Sequence, residues 1–216
     1  MPIICPTITA FDSDEYARQM VKIGPFAQRI HIDLMDGVLA PTRSPELPEV
    51  WWPEHLTADI HLMYEKPGEV LREILYLHPN LLVFHYEASV DHVALAIKLR
   101  DHNVKAGLAI LQDTDINQVL DILEAFDHVL IFSGDLGHHG GVANLELLDK
   151  VRVIRQRYSG IEVAWDGGIN EDNAEALISA GVSVLNVGGY IHNASSPQEA
   201  YAKLELLTRT VQKSDD

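Results

Sequence analysis

Eight short apolar segments alternate along this chain with longer segments of helical periodicity. Short apolar runs bounded by polar or turn residues indicate buried strands, whereas apolar residues at every third or fourth position indicate helices. The predicted strands are 2–8, 29–35, 58–63, 81–86, 105–111, 128–133, 161–166 and 183–188. The predicted helices are 14–23, 44–52, 66–77, 90–102, 115–126, 144–158, 170–181 and 196–211.

Strands that alternate with helices predict an α/β fold with a parallel sheet. Eight such units in 216 residues predict one (β/α)8 TIM barrel, with residues 1–216 as a single domain. An open, doubly wound sheet is the alternative. That fold usually carries a glycine-rich turn after its first strand, and residues 4–14 contain no glycine. The barrel is therefore the favoured architecture.

The formal net charge of −16 argues against two classes of partner. A strongly acidic chain repels nucleic acid and anionic membranes, so we expect neither as a partner. Cys5 is the only cysteine, which excludes an internal disulfide and favours a reducing compartment. The first residues have no basic region and no long apolar core, so we expect neither a signal peptide nor a membrane span. The expected location is the cytoplasm.

Polar side chains interrupt the predicted strands close to their carboxyl ends, where TIM barrels place their active residues. His31 and Asp33 are two residues apart and therefore share one face of a strand. His61 and Asp166 end two other strands, and two imidazoles with two carboxylates form a plausible site for zinc, iron or manganese. The alternative is structural, with the histidines bound to backbone groups and Asp166 capping a turn. Strand 4 adds His85 and Glu87 at its end.

Glycine pairs follow the last two predicted strands. Gly167 and Gly168 come directly after strand 7, and Gly188 and Gly189 come at the end of strand 8. Loops at these two places hold phosphate in many TIM barrels, and glycine lets backbone N–H groups approach it closely. A third glycine-rich loop, 134–141, follows strand 6. Tight turns explain each pair equally well, so only the combination favours an anion site.

Five motifs resemble the ribulose-phosphate 3-epimerase family across nearly the whole chain. They are HIDLMDGVLAP (31–41), DIHLM (59–63), FHYEA (84–88), KAGLAI (105–110) and WDGGI (165–169). Thr7 stands where this family usually has serine. The first two motifs are specific in combination, and with the last they identify the chain as a member of that family.

The resemblance implies a mechanism. His31, Asp33, His61 and Asp166 would hold a divalent metal (zinc, iron, manganese or cobalt). Asp33 and Asp166 would also be the catalytic acid and base. They would invert C3 of a ketose phosphate, either ribulose 5-phosphate and xylulose 5-phosphate or a related sugar, through an enediolate. The resemblance further implies a homo-oligomer.

The resemblance also implies which residues bind the substrate and its phosphate. They are Thr7, Met35, Met63, Gly140, Gly141, Gly167, Gly168, Gly188 and Gly189. Met35 and Met63 would form an apolar wall that keeps water from the enediolate, although each could equally be ordinary core. We expect Asp36 to support its loop rather than to react.

The loop after strand 6 departs from the family pattern. It has Phe132 in place of methionine, lacks the usual proline, contains His138 and His139, and has Val142 in place of glutamine. Gly189 also replaces a common serine. These changes concern the substrate side, so a phosphorylated ketose other than ribulose 5-phosphate is possible. The two histidines could contact that substrate or lie in a solvated loop.

Two other functions compete with the epimerase. A decarboxylase or aldolase of the same superfamily would carry D-x-K-x-x-D on strand 2. Asp33 and Asp36 fit that spacing, but Met35 occupies the lysine position, which rejects this interpretation. The second is a non-catalytic, sugar-phosphate-binding or regulatory barrel, which the altered loops suggest. The intact set of four ligands argues against it, because buried charges are costly to keep.

Overall fold

The computed structural model describes residues 1–138 and 140–214 and confirms the predicted barrel. Eight parallel strands pair in sequence order, and the last pairs with the first to close the sheet. His139 lies outside the described residues. No helix in the described ranges is long and apolar enough to cross a membrane.

The strands and helices alternate around the barrel. The strands are β1 (Ile3–Thr9), β2 (Arg29–Met35), β3 (Thr57–Met63), β4 (Leu81–His85), β5 (Lys105–Ile110), β6 (His128–Phe132), β7 (Glu162–Asp166) and β8 (Val184–Val187). The helices are α1 (Ser13–Ile23), α2 (Leu71–Tyr76), α3 (His92–Asp101), α4 (Leu148–Arg157), α5 (Ala174–Ser179), α6 (Gly189–His192) and α7 (Pro197–Ser214). Short 3-10 turns occupy Leu47–Glu49, Pro67–Val70, Ile116–Gln118, Leu120–Ala125 and Leu145–Leu147.

The predicted helix at 115–126 is wrong in type, because two 3-10 turns replace it. Branched side chains at Ile116, Val119 and Ile122 restrict χ1 and lower helix propensity. The Tyr158 hydroxyl also donates to the Leu120 carbonyl at 2.7 Å. Tertiary contacts therefore hold this segment in tighter turns. The short helix predicted at 44–52 is likewise reduced to one 3-10 turn.

An apolar layer fills the middle of the barrel. It consists of Cys5, Leu81, Val83, Ala109, Leu130, Ala164 and Val184, all fully buried. A larger apolar core lies between the sheet and the surrounding helices. Because the interior layer is packed side chains and not a channel, it separates the two ends of the barrel.

A paired polar network lies at the amino-terminal end of the barrel. Arg29 Nε contacts Asp59 at 2.6 Å, and its two terminal nitrogens contact Glu162 at 2.9 and 2.8 Å. His128 Nδ1 lies 2.7 Å from the same Glu162 carboxylate. Burial raises the pKa of Glu162, but the hydrogen bonds from Arg29 and His128 lower it well below its ordinary value. This network ties β2, β3, β6 and β7 together.

We predict that Glu162→Gln destabilises the fold by about 3 kcal/mol, since it leaves the largely buried Arg29 without its bidentate partner. Because the folded-state pKa of Glu162 is lowered, its stabilising contribution is present above the ordinary value of 4.5 and is lost as pH falls below it. Urea unfolding between neutral and acidic pH should show this loss in the natural protein and a flatter profile in the variant.

Asp121→Asn provides the control, because it removes a carboxylate from an exposed ion pair with Arg157. It should change stability far less than Glu162→Gln does, because an exposed ion pair is screened by solvent. Equal destabilisation by both substitutions would contradict a special role for the network.

Candidate active site

Strand register brings the predicted polar side chains together at the carboxyl end of the barrel. Thr9 pairs with Asp33 between β1 and β2, and Asp33 pairs with His61 between β2 and β3. Residues at equal register on neighbouring parallel strands point to the same side of the sheet. Since His31 lies two residues before Asp33, it shares that side. Asp166, at the end of β7, faces the same interior.

Four donors meet in one cluster. One ligand atom from each of His31, Asp33, His61 and Asp166 lies within 4.8 Å of the others. His61 Nδ1 lies 2.9 Å from Asp33 Oδ1, and His31 Nε2 lies 3.4 Å from an oxygen of each aspartate. The Thr9 hydroxyl donates to the other Asp33 oxygen at 2.5 Å. The predicted set is therefore assembled, with Thr9 as an addition that the sequence analysis did not single out.

The two carboxylates have different electrostatic environments. Burial raises the pKa of Asp33, but its contacts with His31 and His61 lower it well below its ordinary value. Burial and the nearby charge of Asp33 together raise the pKa of Asp166 to about 7. Two carboxylates with separated pKa values in one site are typical of an acid/base pair.

The cluster fits a divalent cation. His31 Nε2 is buried and makes no hydrogen bond within the described residues, although it faces two carboxylates. Two imidazole nitrogens and two carboxylate oxygens match the donors that zinc, iron, manganese and cobalt accept. A cation would also offset the repulsion between Asp33 and Asp166. On the chemistry of its donors, this site is able to hold a metal ion.

A chain of hydrogen bonds fixes the orientation of His61. Glu87 Oε1 accepts from the Leu111 N–H at 3.1 Å and from the Thr114 hydroxyl. Its other oxygen lies 3.3 Å from His85 Nδ1, and His85 Nε2 lies 2.9 Å from His61 Nε2. If His85 Nδ1 donates a hydrogen bond to the Glu87 carboxylate, His85 Nε2 is the acceptor of a hydrogen bond from the N–H group at His61 Nε2. His61 Nδ1 is then left with a free lone pair facing Asp33, as a metal ligand requires.

Asp36 lies outside this cluster. Its Oδ1 accepts from the N–H groups of Val38 and Leu39 at 2.7 and 3.0 Å, and its Oδ2 accepts from the Glu65 N–H at 2.7 Å. The carboxylate therefore joins the loop after β2 to the loop after β3. This matches the supporting role that we expected.

A cavity of about 280 Å³ opens above the cluster. It is lined by most of the predicted substrate residues: Thr7, Met63, Gly140, Gly141, Gly167, Gly168, Gly188 and Gly189. Met35 does not belong to this lining; it is buried with Ala40 and Met63 and accepts a contact from the Thr42 hydroxyl at its sulfur. Asp33 and Asp166 also line the cavity, so a ligand could reach both carboxylates and the glycine loops.

The glycines after β7 have a packing role as well. Gly167 and Gly168 both have positive φ, at 110° and 68°. A Cβ on Gly167 would lie 2.3 Å from Gly134 N, and one on Gly168 would lie 2.1 Å from Ala143 N. Glycine is therefore required here for the loops after β6 and β7 to pack closely.

The unusual loop after β6 forms one side of the cavity. The Thr42 hydroxyl donates to the Gly137 carbonyl at 2.7 Å, and the Asn144 N–H donates to the Ser133 hydroxyl at 2.8 Å. Exposed His138 lines the cavity, which is compatible with the expected substrate contact. Phe132, at the end of β6, lies edge-on to His85 and tilted against His61.

Asn186 is a site residue that the sequence analysis missed. It lies on β8, lines the cavity and is buried, and neither amide atom has a hydrogen-bond partner among the described residues. A polar residue between Leu185 and Val187 was a detectable signal, because it faces the side opposite to theirs. Thr9 could similarly have been found from Thr7, two positions earlier on β1.

The chain belongs to the ribulose-phosphate 3-epimerase family, which matches residues 3–192. It is 32% identical over 210 residues to ribulose-phosphate 3-epimerase of Mycobacterium leprae, covering 94% of this chain and 93% of that protein. It is 33% identical over 213 residues to the enzyme of the same name from Mycobacterium tuberculosis strain H37Rv, covering 94% and 91%. A crystal structure of 3-hexulose-6-phosphate synthase has a similar fold, with a TM-score of 0.74, 18% identity and coverage of 95% and 99%.

We predict that Glu87→Gln weakens zinc binding by about 10- to 100-fold. The glutamine oxygen would stay with the Leu111 N–H, and its NH2 group would face His85 Nδ1. His85 would then donate to His61 Nε2, and the His61 proton would move to Nδ1, the ligand atom. Competition with a chromogenic chelator measures the affinity without reference to turnover.

Glu162→Gln is the matched control, because it makes the same change beside a buried histidine, His128, at the other end of the barrel. It should lower stability and leave zinc affinity unchanged. Unchanged affinity in Glu87→Gln would show that the hydrogen-bond chain does not set the His61 tautomer.

Proposed function

We propose that this protein is a metal-dependent epimerase that inverts C3 of a ketose phosphate, either ribulose 5-phosphate and xylulose 5-phosphate or a related sugar. The observation that carries the proposal is the joint placement of Asp33 and Asp166 in one cluster with two histidines, at the floor of a cavity walled by glycine loops. Two carboxylates that reach a substrate from different strands can act on opposite faces of one carbon. Membership of the epimerase family supports the same activity.

His31, Asp33, His61 and Asp166 are proposed to hold the divalent metal. When bound, it supplies Lewis-acid stabilisation of the negative charge that develops on the substrate oxygens. Zinc, iron, manganese and cobalt all accept the nitrogen and oxygen ligands of this set.

Asp33 and Asp166 are proposed to exchange roles as base and acid. One carboxylate removes the C3 proton, which is acidic because C3 lies next to the C2 ketone. The other returns a proton to the opposite face of the enediolate, and C3 is inverted. In the metal-free cluster the two carboxylates are not equivalent, since the pKa of Asp33 is well below its ordinary value and that of Asp166 is raised to about 7.

The remaining cavity residues are proposed to position the substrate and exclude water. The loops after β7 and β8 contain no lysine, so the phosphate would be bound by backbone N–H groups. The glycines that offer them are Gly167, Gly168, Gly188 and Gly189. Met63 and Phe132 form apolar walls near the carboxylates. Thr7 packs closely against the glycine loop after β8, because a Cβ on Gly188 would lie only 2.6 Å from the Thr7 hydroxyl oxygen.

Three features of the protein as a whole stay predictions. We infer that residues 1–216 form one domain, because α7 near the carboxyl end packs against β1 at the start. We also infer a cytoplasmic location from the lone cysteine and a homo-oligomer from the family resemblance. Sedimentation velocity tests the oligomeric state directly.

The non-catalytic barrel is the less favoured function. A binding protein for sugar phosphates needs the glycine loops but not two buried carboxylates beside two histidines. Such a cluster is costly without a cation, and substitution by apolar residues often stabilises a fold. Its presence therefore favours chemistry at the site.

We predict that Asp166→Asn lowers epimerisation of ribulose 5-phosphate by at least about 100-fold, since it removes one of two proton-transfer groups. Asp33 would still exchange the C3 proton of whichever epimer presents that proton to it. NMR in deuterated water should therefore find C3 exchange in one epimer without conversion to the other.

Asp101→Asn is the control, because it changes an exposed carboxylate at the end of α3. It should epimerise at the natural rate. If the natural protein and Asp166→Asn exchange a panel of pentulose and hexulose phosphates equally slowly, the catalytic proposal fails.

We predict one divalent metal ion per chain in protein purified without chelator. Elemental analysis measures this ratio. Removal of the metal should abolish C3 exchange, and its return should restore it. His61→Ala should lower the metal content, because the cluster loses one of its four donors. If the purified protein holds no metal and no added divalent cation raises its activity, the proposal is contradicted.

A further inference from the structure

Asn186 is buried and has no hydrogen-bond partner among the described residues, whereas Thr9 and His61 at the same end of the barrel are paired. The side chain is 2% exposed, and both Nδ2 and Oδ1 lack a hydrogen bond among the described residues. On neighbouring strands, Thr9 donates to Asp33, and His61 contacts both Asp33 and His85. Buried polar groups are normally satisfied, so an amide unpaired at both ends needs an explanation.

The strand register places this amide within the cavity wall. Asn186 pairs with Asp166 on β7 and with Cys5 on β1. Cys5 belongs to the interior layer and Asp166 faces the cavity, so Asn186 faces the interior as well. Along β8, it lies two residues before Gly188. The amide therefore lies between the carboxylate cluster and the glycine loop that follows the strand.

An unpaired amide at this place requires a particular kind of occupant. The NH2 group donates and the carbonyl oxygen accepts, so the complementary group must both accept and donate. A hydroxyl group does this, as does the water molecule that such a hydroxyl can displace, whereas an ether, a methylene or a phosphate dianion does not. Val184, the next inward residue on β8, is apolar, so the protein offers no substitute below the amide.

We propose that Asn186 hydrogen-bonds a substrate hydroxyl that lies between the reacting carbon and the phosphate, and thereby selects polyhydroxylated ketose phosphates. The inference rests on the proposed function, because that function places the reacting carbon at Asp33 and Asp166 and the phosphate at the glycine loops. For a pentulose 5-phosphate, the group between them is the C4 hydroxyl. Asn186 is thus a specificity-determining residue.

A consequence for stability separates this role from a structural one. Because the amide makes no hydrogen bond to the described residues, its replacement by an apolar residue of similar shape removes no hydrogen bond to them. Removal of an unsatisfied buried polar group is neutral or stabilising. Asn186→Leu should therefore melt at the same temperature as the natural protein or higher, while its activity falls. Asn186→Val has a smaller side chain, so it shows whether any effect of Asn186→Leu comes from overpacking.

The test compares D-ribulose 5-phosphate with the analogue that lacks its C4 hydroxyl, using metal-loaded protein. The natural protein should prefer the hydroxylated sugar by about 100-fold or more in kcat/KM, because the analogue leaves the amide unpaired. In Asn186→Leu and Asn186→Val, kcat/KM for ribulose 5-phosphate should fall by roughly the same factor, with little change for the analogue. The preference should therefore collapse to near unity. A preference retained in both folded variants overturns the inference.

Val184→Ala is the matched control on the same inward face of β8. It creates a cavity in the interior layer, so it should lower the melting temperature and keep the preference for the hydroxylated sugar. Collapse of the preference in this variant as well would overturn a specific role for Asn186, since any change on β8 would then produce it.

Calorimetry distinguishes failure of this inference from failure of the proposed function. If the natural protein turns over neither sugar, the epimerase proposal fails. The role of Asn186 is then tested by the binding affinities of the two sugars. Tighter binding of ribulose 5-phosphate than of the analogue, lost in Asn186→Leu, supports it. Equal binding of the two sugars, or no binding of either, overturns it.

Discussion

The burial of two carboxylates against two imidazoles is the constraint on which the carboxyl end of this barrel depends. Asp33 and Asp166 repel each other, and burial disfavours charge on both. The cluster is tolerable because the Thr9 hydroxyl donates a hydrogen bond to Asp33 and because a cation can join the four metal-binding atoms. The surrounding hydrogen bonds, from Glu87 through His85, serve to keep these donors oriented.

Buried polar side chains have different surroundings at the two ends of the barrel. At the amino-terminal end, Arg29, Asp59 and Glu162 satisfy one another at short distances, so the network closes on itself. At the carboxyl end, His31 Nε2 and the Asn186 amide are buried and have no hydrogen bond to any of the described residues. The apolar layer between the ends isolates one network from the other. His128 Nε2, at the amino-terminal end, is also unsatisfied among the described residues, so the carboxyl end differs in that its unsatisfied Asn186 amide lines a cavity that a ligand can enter.

Local patterns predicted the fold and the centre of the site because both depend on short periods. The period of two in β2 places His31 and Asp33 on one face, and parallel pairing in sequence order brings His61 beside them. The turns at 115–126 were mispredicted because contacts such as that from Tyr158 come from distant sequence. Asn186 could be found from the sequence as a polar residue between Leu185 and Val187, but its lack of partners among the described residues is visible only in the assembled barrel.

The chemistry follows from single positions and not from the barrel. Structural similarity to 3-hexulose-6-phosphate synthase, at 18% identity, establishes the fold alone. At the position where a decarboxylase or aldolase of this superfamily would carry lysine, this chain has Met35, which is 1% exposed and packed against Ala40 and Met63. A lysine placed there would have to bury its ammonium in an apolar cluster. The carboxylates are therefore the groups that we propose as reactive at this end of the barrel, and the substrate side, with Asn186 and the loop after β6, is where this chain can differ from its relatives.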